Sequence, residues 1–419
     1  MADQPTDVLV IGAGVIGLAC AFRLVQAGHS VTLIDRDAPG MGASFGNAGH
    51  IATEQIMPLA SPQTLRSALR LLLEKDGALR IRSRYLLPIL PWLARFVWAS
   101  RPSAFARGVT ALAALQARAA ADLSSLLDDL GASHLLHMNG HLVLVERSDS
   151  LAAARAGVAG LAKYGTEQDL TADWLTPQQV LAIAPDITAP IHGAYHYRGT
   201  GHVDDPLAVC AALLAAFTTA GGNLAHGAIR RLEHGGSGFV ATTDDGRRVA
   251  AKRVLLAAGA WSAPLAKQMG YDVPLETERG YQITLPDVTP SFQIPVASFE
   301  RRVIMTPMSC GLRMTGTVEL GGLALPPDTG CFDLLAGHMR ALLPNAPTER
   351  ATTWMGFRPS LPDHLPVIGR APDGRELYFA FGHQHLGLTL AGVTARVVAD
   401  LVGGRSPQVA LDAFAVDRF

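Results

Sequence analysis

The residue best suited to chemistry lies late in the chain, in GFRPSLPDHLPVIG. There Arg358, between Gly356 and Pro359, presents a planar guanidinium fork that can hold a carboxylate through two parallel, charge-assisted hydrogen bonds. Its competing role is a structural arginine bridging two domains. A second concentration follows in FGHQHLGLTLAG, where Gly382, His383, Gln384, His385, Leu386, Gly387, Leu388 and Thr389 precede or open an apolar stretch that reads as a long helix starting at Gly387. A helix start carries unpaired N–H groups and about half a positive charge, so it suits an electron-rich group. Tyr281 in ERGYQITL alternates so as to face a pocket from a strand, where its hydroxyl could add a bond to a carboxylate; a core tyrosine with a satisfied hydroxyl is the rival reading. His50 could share the space of His383 and His385. None of these histidines has a metal partner at a recognisable spacing, and no Ser/His/Asp or paired-carboxylate pattern occurs, so neither a metal nor an acid/base residue is assigned. Arg301, Arg302 and Arg313, with Glu276, Glu278 and Glu300, read as solvated faces of hairpin strands, and Asp363 as a turn or capping residue.

These groups need a scaffold, and its clearest part is the N-terminal stretch DVLVIGAGVIGLACAFRLVQAGHSVTLIDR. It reads as strand, glycine turn, apolar-faced helix and second strand, a β-α-β unit. Gly12 permits the tight turn, Gly14 lets the main chain approach a pyrophosphate, Val15 and Ile16 open the helix that would receive the phosphates, and Gly17 lets that helix press on the sheet. Asp35 closes the second strand where a carboxylate accepts hydrogen bonds from a ribose diol, and Arg36 follows it. A carboxylate there repels a 2′-phosphate, so an ADP-containing dinucleotide is favoured over NADP. The unit alone does not separate FAD from NAD.

No further βαβ repeat follows. Instead GMGASFGNAGHI supplies a small-residue loop, with Ala43, Ser44, Asn47, Ala48 and Gly49, that can pass close to a flat ring. Later, GHVDDPLAVCAALLAAFTTAGG reads as a helix capped by Asp204 or Asp205 with Pro206 in its first turn. Three short strands then form an antiparallel meander, near 228–232 (holding Ile229), 239–243 and 247–251, joined by HGGSG and a DDG turn. RVLLAAGAW runs a further apolar strand into Ala258 and Gly259, ahead of Trp261.

With 419 residues and 49% apolar content, the chain suits two compact domains. Its 35 basic and 36 acidic residues supply no field for nucleic acid. Cys20, Cys210, Cys310 and Cys331 are far apart and read as reduced core thiols of a cytosolic protein. The start, MADQPTD, carries two aspartates and no basic residue, which argues against a signal peptide, and no long uncharged apolar run indicates a membrane span. LRIRSRYLLPILPWLARFVWASR leaves two readings open. It is either a core helix interrupted at Pro88 and Pro91, or a Trp-bearing patch within 80–101, with Arg80, Arg82, Arg84, Arg95 and Arg101, resting on the inner face of a membrane.

Taken together, VIGAGVIGLACAFRLVQAGHSVTLIDR, GASFGNAGHI, the Gly201–Pro206 segment, ERGYQITLP, TWMGFRPSLPDHLPVIGR and FGHQHLGLTLAG resemble the FAD-dependent D-amino-acid dehydrogenases and their relatives glycine oxidase, sarcosine oxidase and D-amino-acid oxidase. The resemblance covers nearly the full chain. It implies an α/β fold: a Rossmann-type FAD-binding domain from 1–57, 198–270 and 355–419, and a substrate domain built on an antiparallel sheet from 58–197 and 271–354. It also implies that Arg358 clamps the substrate carboxylate while Cα–H faces flavin N5. Hydride transfer then leaves an imine that water converts to a 2-oxo acid and ammonia, or a ring imine from a cyclic substrate such as D-proline or hydroxy-D-proline. The loop from Gly382 would lie beside the flavin, with the N–H groups around Leu386 to Leu388 favouring the charge of the reduced ring. Sarcosine oxidases tether flavin through a cysteine near this region; TTWMGFRPSL has none, so FAD is expected to be non-covalent. The dehydrogenase branch usually has small residues where Gln384 and His385 stand, which points to a polar or hydroxylated substrate. The electron acceptor would be a quinone or a protein. An oxygen-using amine oxidase and a non-catalytic flavoprotein subunit are the alternative readings.

Overall fold

The computed structural model describes residues 6–73, 77, 79–164, 170–236 and 238–419; residues 1–5, at the aspartate-bearing start, and Ser237 of the HGGSG turn lie outside them. The N-terminal unit forms as its pattern dictates: strand Thr6–Ile11, helix Val15–Gln26 and strand Val31–Asp35. These strands pair in parallel, with Val8 opposite Val31 on one side and Arg253 on the other. A parallel strand is covered on both faces, which is why VLVI is apolar throughout rather than alternating. Asn223–His226 extends the sheet beyond Val31–Asp35, and Leu377–Phe381 and Val367–Arg370 join at Arg248–Leu256. The meander strands Ile229–Gly235 and Gly238–Thr243 complete the eight. Helices Val15–Gln26, Pro206–Thr219 and Ala391–Val402 cover one face, while the meander and helix Ser262–Gln268 pack on the other.

The second sheet has nine strands, with Glu276–Leu285 between Thr352–Ser360 and Gly311–Leu320 and antiparallel to both. Tyr281, Ile283 and Leu285 turn into a core shared with helix Thr329–Leu342. By strand alternation Glu278, Gly280 and Gln282 therefore occupy the opposite face. Two placements cut across the boundaries read from the motifs. Strand Thr352–Ser360 belongs wholly to the second sheet, across position 355. Helices Pro102–Gln116 and Ala119–Asp129 pack on the first unit, Leu123 and Leu127 sharing a core with Ala391 and Val398. Gly392 makes that contact possible, since a Cβ there would come within 2.4 Å of the Asp122 main chain.

The long segment 86–99 differs from its reading as an interrupted core helix. Pro88 and Pro91 do not interrupt it: Leu86–Ala99 is one helix that buries only Ile89 and Trp92. Arg80 and Arg82 turn toward Asp328 and Glu319 instead of serving a surface.

Glu319 is the centre of a buried polar knot. Its carboxylate takes Arg279 Nη1 at 2.9 Å and the Tyr281 hydroxyl at 2.7 Å, and both members of the ion pair are fully buried. Arg279 donates its other hydrogens to the carbonyls of Gly322, Leu325 and Pro326. Such a pair tolerates burial because each guanidinium nitrogen and each carboxylate oxygen has a partner, and removing one partner strands the other's charge. Arg279→Met is expected to lower the free energy of unfolding by about 3–5 kcal/mol, measured by urea denaturation.

Candidate functional site

At the C-terminal ends of the parallel strands a long cleft opens, bordered by Ile11 and Gly12, Ile34 and Asp35, Ala257 and Ala258, and Phe381 and Gly382. That is where open α/β sheets receive ligands. It holds about 1380 Å³ of space, the open solvent at its mouth included. Gly12 has φ +110°, and a Cβ on it would lie 2.3 Å from Ala257 O, so a side chain would close the turn. The first turn of helix Val15–Gln26 has no acidic residue and Gly14 has no side-chain cap. Ser44 Oγ accepts from Val15 N at 3.0 Å. This positive, uncapped helix end fits a pyrophosphate.

Farther along, Asp35 holds the loop: its oxygens accept from Ala13 N at 2.6 Å and Asp37 N at 2.9 Å, each with a lone pair left for a hydroxyl. Arg36 lies with its guanidinium carbon 3.5 Å from the Trp261 ring centroid, a flat stacked surface at the cleft wall. The donor set thus suits a dinucleotide along its whole length. Lining residues expected from the sequence are Gly12, Gly14, Val15, Ile16, Asp35, Arg36, Ala43, Ser44, Asn47, Ile229, Ala258, Gly259, Trp261, Gly382, His383, Gly387 and Leu388. Asp37, Arg230, Phe357 and Pro359 also line it and were missed. Phe357 and Pro359 flank Arg358 on an alternating strand, which was the available signal.

Other expected cofactor residues do different work. A Cβ on Gly17 would lie 1.8 Å from Gly12 O, so this glycine serves helix packing. Gly356 makes room for the Trp354 ring, 2.0 Å from its would-be Cβ, and Gly49, at φ +69°, makes a turn beside Ala48, which does not line the cleft. Thr389 Oγ1 accepts from Ala52 N at 3.0 Å, tying two loops together. Leu386 sits in a core with Leu390 and Val393. The apolar helix begins at Ala391, not Gly387, because Leu386 N bonds His383 O and Leu390 N bonds Leu386 O in a succession of turns.

Beside the cleft a cluster of polar side chains gathers around Arg358, which we refer to as the polar recess. The guanidinium lies above Gly280, whose would-be Cβ falls 2.4 Å from Arg358 Cζ, and the facing residue across the strands is Glu278. Burial acts against the arginine's charge while Glu278 supports it. Among the described residues its one hydrogen bond is long, Nη1 to Thr317 O at 3.4 Å. Arg358 itself is not among the residues lining the cleft. Glu278 lies 3.6 Å from His364 Nε2, and His364 Nδ1 donates to Gln384 Oε1 at 2.8 Å. Gln384 and His364 both adopt left-handed backbone, φ +51° and +58°, a cost that clusters at functional sites. His385 Nε2 donates to Gln55 Oε1, which leaves Nδ1 as an acceptor.

Several expectations are corrected here. Tyr281 does not face the recess: the strand's parity turns it inward, and its hydroxyl is spent on Glu319 and on Asp328 N. His50 lies edge-on to His141, ring centroids 4.4 Å apart, and does not line the cleft. Arg313 is not a solvated residue, since it is buried and donates to the carbonyls of Phe45 and Asn47, fixing the loop of small residues. Glu278 is likewise buried, and Glu276 accepts from the Tyr85 hydroxyl. Arg301 pairs with Glu146, and Asp363 accepts from Leu365 N while pairing with Arg418. All four cysteines are free thiols.

His383 and His385 are both lowered from 6.5 to about 3 by burial, His385 additionally by Arg358, His364 and His50. They stay neutral in the folded state, whereas the unfolded chain takes up their protons below pH 6.5. The stability they allow is present above pH 6.5 and is lost as pH falls toward 3. His383→Gln is expected to reduce the acid slope of unfolding free energy by about 1.4 kcal/mol per pH unit within that window, measured by urea denaturation across pH.

A sequence model of the family described as "DAO: FAD dependent oxidoreductase" matches residues 7–401. The chain is 31% identical over 426 residues to the D-amino-acid oxidase of Bradyrhizobium diazoefficiens, covering 98% of each protein. It is 30% identical to the D-amino acid dehydrogenase of Methylobacterium radiotolerans, over 98% of this chain and 99% of that one. The crystal structure of glycine oxidase from Geobacillus kaustophilus superimposes with a TM-score of 0.77 at 24% identity, covering 99% of both chains. At such identity the structural likeness speaks for the fold.

Proposed function

The chain belongs to this DAO family of FAD-dependent oxidoreductases, and from that membership we propose that it oxidises D-amino acids whose carboxylate is gripped by Arg358. FAD would lie along the cleft, its pyrophosphate at Gly12, Gly14 and Ser44, its ribose at Asp35 and its adenine against the Arg36–Trp261 stack. Its ring would lie at the end lined by Phe357, Gly382 and Leu388. Among the described residues no cysteine lines the cleft, which supports non-covalent binding. When bound, FAD supplies the acceptor for the hydride leaving the substrate Cα.

The observation that carries the reading is a part-buried guanidinium with few hydrogen bonds of its own, on the strand whose Phe357 and Pro359 line that cleft. Arg358 offers a bidentate site, so the carboxylate fixes the orientation of the neighbouring Cα. Arg358 brings the positive charge that a carboxylate would meet, with Glu278 opposite it across the paired strands. Gln384 is held by His364, and His385 by Gln55, so both present fixed polar edges suited to a polar or hydroxylated side chain, cyclic ones included.

Anaerobic mixing with a panel of D-, L-, N-methyl and cyclic amino acids is expected to bleach the flavin with D-amino acids only. Arg358→Ala should lower kcat/KM at least ~100-fold with FAD still bound, a loss of about 3 kcal/mol or more. Bleaching by L-amino acids alone, or unchanged kinetics in the variant, would refute the assignment. In air, reduction of an added quinone or dye without peroxide marks a dehydrogenase, and stoichiometric peroxide an oxidase.

The same reading includes a peripheral membrane contact. Among the described residues no helix is long and apolar enough to cross a bilayer. Helix Leu86–Ala99 nevertheless exposes Leu86, Leu87, Leu90, Val97 and Trp98, with Leu87 77% and Trp98 65% exposed. Arg84 and Arg95 lie on the same segment and Arg101 stacks on Trp98. This apolar face with a basic rim suits an anionic bilayer. Sedimentation with phosphatidylglycerol vesicles is expected to carry the protein down, and Leu87→Glu with Trp98→Glu to release it.

A further inference from the structure

Two clusters of metal-ligating side chains occur among the described residues. Glu319, Asp328 and Cys331 form one, and cations of the fold already meet its charge: Arg279 and Arg82 face Glu319, and Arg80 and Arg82 face Asp328. His50, Glu54 and His141 form the other. One nitrogen of each imidazole and one carboxylate oxygen there lie within 4.8 Å of one another.

This second cluster has acceptors and no cation. Glu54 is buried and has no ion pair among the described residues, and its Oε2 and the Nε2 of His50 are both buried without a partner. Thr200 determines the tautomer of the third member. Its hydroxyl donates to Tyr197 O at 2.9 Å, so it must accept from His141 Nδ1–H at 2.9 Å, which leaves Nε2 of His141 with its lone pair. A histidine held in this way by a hydrogen bond on its other nitrogen is the arrangement found around metal ligands. A buried carboxylate with two acceptor imidazoles beside it calls for something positive among them.

We propose that His50, Glu54 and His141 bind a divalent transition-metal ion of the zinc type. Two imidazoles and one carboxylate form a known zinc ligand set, and nitrogen donors select against magnesium and calcium. Bonds of about 2.0–2.1 Å place tetrahedral donors roughly 3.3–3.5 Å apart, a contraction that rotation of the Glu54 side chain can supply. The ion would join the turn after strand His50–Ile51 to the second sheet, where His141 begins strand His141–Val145. The neighbouring Gln55 holds His385, so the ion would also brace the recess wall.

The test uses the FAD-loaded protein, stripped with a chelator, dialysed against zinc and passed over a desalting column, with metal content and unfolding midpoint as readouts. About one zinc per chain is expected to remain, with a raised midpoint. Glu54→Gln and His141→Ala should each weaken zinc binding at least ~10-fold, Thr200→Val by about 10–100-fold through the lost tautomer control, and His134→Ala, an exposed histidine, not at all. Absence of retained zinc, or retention undiminished in Glu54→Gln and Thr200→Val, overturns the site. If Glu54→Gln fails to hold FAD and so to fold, Thr200→Val, which keeps all three ligands, decides.

Discussion

Arg358 can be charged where it stands because three residues on two strands, Glu276–Leu285 and Gly311–Leu320, make room for it and answer it. Gly280 supplies the space, Glu278 the countercharge, and Thr317 O a distant hydrogen bond. A guanidinium so placed has spare donors and little water, the condition under which a carboxylate binds most strongly. The second sheet can be understood as the frame for that condition. Its strand Glu276–Leu285 turns one face to an apolar core and keeps the polar face for the recess.

The frame also has to carry charge on its inner side. Arg279 and Glu319 lie behind the recess strand, fully buried and saturated with hydrogen bonds, whereas Arg358 on the neighbouring strand is left with few. Two arginines, one register position apart across paired strands and on opposite faces of the sheet, thus differ in hydrogen-bond saturation. A saturated guanidinium is structural, and an unsaturated one is available to a ligand.

Between the sheets, the loops are tied by individual polar contacts as well as by the apolar cluster that holds Ala52, Leu386 and Leu390. Arg313 reaches from the second sheet to the carbonyls of Phe45 and Asn47 at the cleft wall, Thr389 takes Ala52 N, and Gln55 takes His385. Each bond fixes the position of a residue beside the cleft or the recess, so cofactor and substrate regions are set by the same few contacts. Buried bonds of this kind are strong because water does not compete for them.

The sequence by itself determined the β-α-β unit, its glycines and Asp35, because those depend on local sterics: a left-handed turn at Gly12 and a parallel strand apolar on both faces. Side-chain direction in the second sheet was not legible. Tyr281 and Glu278 differ by three positions on one strand, and only the packing of helix Thr329–Leu342 decides which parity is buried. Polar residues read as solvated, such as Arg313 and Glu278, prove buried because their partners are remote in the chain, Phe45 and Asn47 for one and His364 for the other. The convergence of His50, Glu54 and His141 required tertiary structure for the same reason, since a spacing of nearly ninety residues carries no local signal. What short-range geometry enforces can be read from order alone, and what depends on which distant groups neutralise one another is decided by the fold.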